Sequence, residues 1–242
     1  MAIKANIGTC GFGRGREAYV QRLSCVEVQH TFYHPPLLET LEQWRETVPE
    51  GFEFTIKAWQ LITHATKSPT YRRLKRDLDP VEKVEAGYFQ PTKIVHEAWE
   101  MTRACAKALR ATAILFQCPA SFKPTTANIS NLKAFLAGIE RDEIDLCWEP
   151  RGQWDTGVVR EICNEFNIWH TVDPFEQKTV TPDRCYFRLH GRGGWRYKYD
   201  DVELTELAAM LPADQTSYVF FNNREMLNDA QRFAEILTEL RA

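Results

Sequence analysis

Eight short runs rich in Val, Ile, Phe and Tyr punctuate this chain, and helical patterns lie between several of them. The runs span Ala5–Thr9, Val26–Thr31, Phe52–Lys57, Ala113–Gln117, Asp145–Glu149, Ile168–Asp173, Cys185–His190 and Tyr218–Asn222. Strands alternating with helices imply a parallel sheet, and eight such strands allow closure into a β/α barrel. Five stretches carry apolar residues at helical spacing. They are Leu37, Leu41, Trp44 and Val48; Ile94, Ala98, Met101, Cys105 and Leu109; Ile129, Leu132, Phe135, Leu136 and Ile139; Val158, Val159, Ile162, Cys163 and Phe166; and Ala230, Phe233, Leu237 and Leu240. The chain has 242 residues, an ordinary length for one barrel, which typically runs to about 250. No repeat, low-complexity tract or linker interrupts it, so residues 1–242 read as a single domain. An insertion around Ala65–Pro91 separates the third and fourth strands, and its segment YRRLKRD is basic. Between the sixth and seventh strands, PFEQKTVTPDR is short and carries two prolines. That crossover is expected to be largely non-helical.

Hydrophobic residues make up 44% and charged residues 26% of the chain, enough for a large core and a solvated surface. The formal net charge of -3 argues against wholesale electrostatic binding of nucleic acid. No apolar run reaches the roughly 18 residues of a membrane span, and MAIKANIGTCGF lacks the apolar core of a signal peptide. No membrane partner and a cytoplasmic location are therefore expected. Seven cysteines without a C-x-x-C pair read as free, buried thiols.

Side chains alternate between the faces of a strand, and the face that meets the helices should be uniformly apolar. In FEFTIKA that set is Phe52, Phe54, Ile56 and Ala58, which turns Glu53, Thr55 and Lys57 inward. The same logic turns Glu27, Gln29 and Thr31 inward on the second strand, Gln117 on the fourth and Glu149 on the fifth. It adds Thr171 and Asp173, then Arg188 and His190 on the seventh strand, and Asn222 on the eighth. Most sit at the C-terminal ends of their strands, where active sites of this fold lie. Lys57, Glu149, Arg188 and His190 are expected to share one cavity. The competing reading is a self-satisfied network of ion pairs plugging the barrel, because buried charges are costly unless paired.

Two segments could hold an anion. HGRGGWRY offers glycine backbone N–H groups beside Arg192 and Arg196, and FNNRE supplies Asn222, Asn223 and Arg224. An anion is expected on Arg188, on the backbone from Gly191 through Gly193 to Gly194, and on Asn222 or Asn223. The asparagines would cap a helix beginning near Arg224. GTCGFGRGRE does not have the G-x-G-x-x-G spacing of a dinucleotide site, and no cofactor is evident. Glu27, Glu149, Asp173 and His190 form a possible divalent-metal set, but Lys57 and Arg188 compete for the same carboxylates, so no metal is assigned. A Schiff-base role for Lys57 fails for a related reason, since carboxylates would keep it protonated. Cys10 is expected one residue past the first strand, in packing or ligand contact rather than as a nucleophile.

The strand-end motifs IGTCGF, VEVQHTFY, FTIKAWQLITH, ILFQCPASF, WEPRGQW, RLHGR and FNN occur in this order. Together they resemble the YecE-like family, labelled domain of unknown function 72, from Ile7 to about Ala230. The resemblance implies a β/α barrel of unassigned chemistry. It also implies that the matching positions Thr9, Tyr33, His64, Gln117 and Arg151 join the site. Cys10 stands where the family usually has serine, Phe12 where it has tryptophan, and Cys118 where it has an aromatic. The spacing from Glu149 to Trp154 is one residue short.

Three functions compete. The first is an enzyme acting on a small phosphorylated or otherwise anionic substrate. In it Glu27 or Glu149 is general base, His190 is general acid or base, and Lys57 and Arg188 stabilise negative charge. The second is a metal-dependent phosphodiesterase or endonuclease, with YRRLKRD gripping backbone phosphates. The third is a non-catalytic nucleotide- or RNA-binding protein that stacks bases on Trp59, Trp195 and Tyr197. The first is preferred, with a small anion as partner and nucleic acid as the lesser alternative.

Overall fold

The computed structural model describes residues 4–13, 15–213 and 215–240. Residues 1–3 of the N-terminal stretch and Arg14 of the glycine-rich GTCGFGRGRE lie outside them. The strands are β1 (Lys4–Cys10), β2 (Cys25–Val28), β3 (Glu53–Lys57), β4 (Ala113–Gln117), β5 (Asp145–Glu149), β6 (Trp169–Val172), β7 (Tyr186–Leu189) and β8 (Thr216–Phe221). They form a closed parallel barrel in sequence order, with β8 returning to β1. The boundaries follow the hydrophobic runs to within a residue or two, except at the end of β2. There the chain leaves the strand at Val28 and turns into a helix over His30–Tyr33. Gln29 and Thr31 are thus not inward strand residues. Thr31 is nevertheless buried, and its hydroxyl donates to the Lys57 carbonyl at 2.7 Å.

By contacts the residues divide into two compact units. The first comprises Met1–Val28, Thr47–Phe54 and Trp169–Ala242. Its alternation is visible on β7, where Phe187 and Leu189 pack outward and Tyr186 and Arg188 turn inward. On β3, Glu53 accepts a hydrogen bond from the Tyr218 hydroxyl of β8 at 2.6 Å. No helix lies between Val172 and Tyr186, as the prolines of that crossover predict. Its backbone is satisfied locally instead: Val180 N–H donates to His170 Nδ1 at 3.1 Å, and the Thr179 hydroxyl donates to the His170 carbonyl at 3.0 Å. The final helix, Met226–Glu239, buries Ala230, Phe233 and Leu237 but leaves Leu240, just past its end, exposed.

The second unit comprises Gln29–Glu46 and Thr55–Ile168. Its core is aromatic. Trp99, on the helix Lys93–Leu109, packs with Phe116 and Phe135 at ring separations of 5.8 and 6.0 Å, and Phe89 joins them at 5.8 and 5.3 Å. Met101 and Leu37, assigned to apolar helix faces from spacing, are exposed instead. Leu37 lies just before the helix Leu38–Glu46, and Met101 sits at the margin of its stripe, where helical spacing alone does not separate rim from core.

The insertion is ordered by local signals. Ser68 caps a 3-10 turn at Pro69–Arg73, and Asp79 with Glu82 forms a capping box on the helix Pro80–Glu85. Gly87 then returns the chain, its N–H donating to the Leu61 carbonyl at 2.7 Å. Its φ is +86°, and a Cβ there would lie 2.2 Å from the His64 carbonyl oxygen. Only glycine permits so close an approach.

Candidate functional site

In the first unit, Arg188 and Glu27 are almost wholly buried and form a fork. Arg188 Nε donates to Glu27 Oε2 at 3.0 Å and Nη2 to Oε1 at 2.9 Å. The Tyr186 hydroxyl donates to Oε2 at 2.8 Å. Two-point pairing of this kind is the strongest guanidinium–carboxylate geometry. This edge of the Arg188 fork is engaged by Glu27 rather than presented to an anion. Here the ion-pair reading describes the pair.

Cys10 is the last residue of β1 rather than one beyond it, and it is buried. Its Sγ lies 3.5 Å from Arg188 Nη2. Burial first, and then the Glu27 carboxylate, push its thiol far above the ordinary range. Both effects favour the neutral thiol over the thiolate. All seven cysteines are buried and none is joined in a disulfide. The folded protein is therefore expected to resist alkylation at neutral pH and to react fully once denatured; rapid native labelling of Cys10 would contradict this placement. Thr9 likewise turns away from the anion role. Its hydroxyl donates to the Gly11 carbonyl at 2.6 Å and lies 2.9 Å from the Tyr19 hydroxyl.

A cavity of about 710 Å³ opens at the C-terminal ends of β1, β7 and β8, with Cys10, His190, Gly191, Trp195, Asn222 and Asn223 on its wall. Asp173 holds His190 there. The His190 backbone N–H donates to Asp173 Oδ2 at 2.9 Å, and Nδ1 of the ring lies 3.7 Å from the same oxygen. Asp173 Oδ1 accepts from Phe175 N–H at 3.1 Å, which fixes the carboxylate.

The glycine loop differs from the expected anion cradle. The Gly191 N–H donates to the Tyr199 hydroxyl at 2.9 Å, and the Gly194 N–H donates to the Gly191 carbonyl at 3.0 Å. Those donors fold the loop on itself. Gly191 has φ +90°, and a Cβ would meet the Gly194 carbonyl oxygen at 2.5 Å. Gly193 is exposed beside the Tyr197 ring. Arg192, also on the cavity wall, is held by Glu203 at 3.2 Å and lies 4.8 Å from the Phe175 ring centre. Arg224 is exposed on the wall, and its backbone N–H donates to the Trp195 carbonyl at 2.7 Å, which ties the two loops together. The asparagines do not cap the last helix. It begins at Met226 with Glu225 as its cap residue and no side-chain cap bond. Asn223 instead donates through Nδ2 to the Tyr197 carbonyl at 2.8 Å and to Asp229 Oδ2 at 2.6 Å.

The second unit gathers a different set. Lys57, at the end of β3, is buried with its ammonium 3.6 Å from the Phe32 ring centre. His64 packs edge-on against the same ring at 4.9 Å, with Nδ1 2.7 Å from the Thr63 hydroxyl. Burial, and then the positive charges of Lys57 and Arg151, hold the His64 ring down to a pKa of about 3, so it is neutral at physiological pH. Glu149 is buried and accepts from Arg151 Nε at 2.9 Å, with Nη2 at 2.8 Å from the same oxygen. Gln117 is half-buried and pairs in register with Glu149. Tyr33 carries the Arg73 guanidinium 3.5 Å above its ring, so one arginine of the basic insertion stacks inward. Of the four residues expected in one cavity, Lys57 and Glu149 belong to this unit, and Arg188 and His190 to the first.

Sequence reasoning missed Tyr186 and Glu176. Tyr186 was available from the alternation that identified Arg188. Glu176 reaches the cavity wall from the helix-free crossover, where no periodicity signals orientation. Among the described residues, no group of three or more His, Cys, Asp or Glu side chains is placed to hold a metal ion, and no helix is long and apolar enough to cross a membrane.

A closed eight-stranded parallel barrel with polar strand ends defines the TIM-barrel class. Within that class the chain belongs to the DUF72 family, described as a protein of unknown function, whose model matches residues 13–242. No curated protein matches the chain. A solved DUF72 family protein of Enterococcus faecalis shares 20% identity and a TM-score of 0.72, with 99% of this chain and 98% of that one covered. One from Thermotoga maritima shares 21% identity at a TM-score of 0.68, covering 97% and 99%. A xylose isomerase domain containing protein of Salmonella typhimurium is similar at 13% identity and a TM-score of 0.60, covering 99% and 98%. At these identities the likeness is one of fold.

Proposed function

We propose that this barrel is an enzyme performing acid–base chemistry on a small anionic substrate in the cavity at the ends of β1, β7 and β8. The observation that carries the reading is His190 on the cavity wall, its backbone N–H donating to the Asp173 carboxylate and its ring Nδ1 3.7 Å from the same oxygen. An imidazole beside a carboxylate at the edge of a small-molecule cavity is placed for proton transfer. Arg224 supplies positive charge on the same wall, and the cavity lies within the range of about 300–1,000 Å³ common for small-molecule sites. Glu27, committed to Arg188, is an anchor in this reading and not a general base.

Inorganic phosphate titrated calorimetrically into the protein is expected to bind one-to-one, with Kd in the millimolar range or tighter. Arg224→Ala should weaken it about tenfold, since a charged hydrogen bond contributes about 1.5–3 kcal/mol and exposure reduces that. His190→Gln should leave phosphate binding intact, while turnover of any anionic substrate falls by about 10²–10⁴-fold. A well-folded wild-type protein that ignores millimolar phosphate and other small anions would sink the proposal.

A further inference from the structure

The cavity that holds His190 is larger than a phosphate needs, and its wall carries further polar and aromatic groups. Asn223 lines it, is 5% exposed, and has an Oδ1 that is buried without a hydrogen-bond partner. Both amide hydrogens of Asn223 are spent, one on the Tyr197 carbonyl and one on Asp229 Oδ2. Turning the amide over would set its oxygen against two acceptors, so the orientation is locked. What this side chain has left is acceptance, and an unmet buried acceptor is costly. Glu176, on the same wall, is a second acceptor-only group. Trp195 presents an indole that is 58% exposed. The face of such a ring is electron-rich and favours C–H hydrogens over lone pairs. Arg224 attracts an anion.

From these four groups we infer that the cavity takes a sugar or polyol carrying one anionic group. Its hydroxyls donate to Asn223 Oδ1 and Glu176, its C–H face lies on Trp195, and its phosphate or carboxylate meets Arg224. The inference rests on the anionic-substrate reading above and adds the chemical class.

Calorimetric titrations with inorganic phosphate, glucose 6-phosphate, gluconate, glucose and adenosine monophosphate separate the two claims. Glucose 6-phosphate is expected to bind at least about tenfold more tightly than phosphate, a gain that a few hydroxyl contacts supply. Trp195→Ala should erase most of that gain and leave phosphate affinity within about twofold, as expected for a residue that touches only the carbon skeleton. Gluconate binding comparably to glucose 6-phosphate would identify a carboxylate as an equal source of the charge. If phosphate binds and neither sugar acid nor sugar phosphate exceeds it, the inference fails while the anion reading stands. Adenosine monophosphate binding more tightly than glucose 6-phosphate overturns the class. If no probe binds, both fall. Asn223 is left unmutated because it also anchors Asp229 and Tyr197, so its loss would confound folding with binding.

Discussion

Arg188→Ala is expected to destabilise the fold by about 3–5 kcal/mol, the cost of leaving a buried charge without its partner. Glu27 would keep the Tyr186 hydroxyl but lose both arms of the guanidinium fork. The magnitude comes from desolvation and not from the strength of the pair. Replacing Arg188 by methionine together with Glu27 by leucine should therefore recover most of the loss, since an apolar substitute of similar volume carries no such penalty. Chemical denaturation of the single and double variants measures both. A single variant within about 1 kcal/mol of wild type would mean that the Glu27 charge finds another stabiliser.

Stability is expected to fall as pH drops from 6.5 toward 3, with His64 as a principal contributor. The His64 pKa is about 3 in the folded chain against an ordinary histidine value of 6.5. The unfolded chain therefore binds a proton over this window that the folded chain refuses. Its contribution is present above pH 6.5 and is lost progressively toward the folded pKa, by about 5 kcal/mol in all. His64→Gln cannot titrate, so the difference in stability between wild type and variant should shift in the variant's favour as pH falls. Paired denaturation curves at pH 7 and pH 4 test this, and a difference independent of pH would place the proton elsewhere. A histidine resonance that stays neutral down to pH 5 and is missing from His64→Gln would identify the ring directly.

Most of the barrel was legible because two periods coexist in the chain. Alternation of two on FEFTIKA and CYFRLH separated Lys57 and Arg188 from their apolar neighbours, and helical spacing found Trp99's neighbours and Phe233. The misreadings have local causes. VEVQHTFY reads as a strand through Thr31, yet His30–Tyr33 turn into a helix, and nothing within the motif marks the switch. FNN looks like a helix cap, but Asn223 is recruited by Tyr197 and Asp229, contacts that only tertiary structure creates. The glycine run was read as a set of free donors, whereas the Tyr199 hydroxyl and the loop's own carbonyls claim two of them. Strand-end position identified His190 and Asp173. Their alliance through a backbone N–H is not a property of either side chain, so no side-chain pattern reports it.

The helix-free crossover between β6 and β7 carries a consequence for how this protein can change. Elsewhere a barrel separates its labours: outer helices keep the strands covered, and mouth loops vary with the ligand. Here one stretch does both. It shields β6 through Thr179, Val180 and Thr181, and it also presents Asp173 and Glu176 to the mouth. Lengthening or rewriting that stretch to admit a new ligand would strip a wall of the barrel, and shoring up the wall would redraw the mouth. Selection for new chemistry is thus steered toward the loops after β7 and β8, where Trp195 and Arg224 can be exchanged without uncovering a strand.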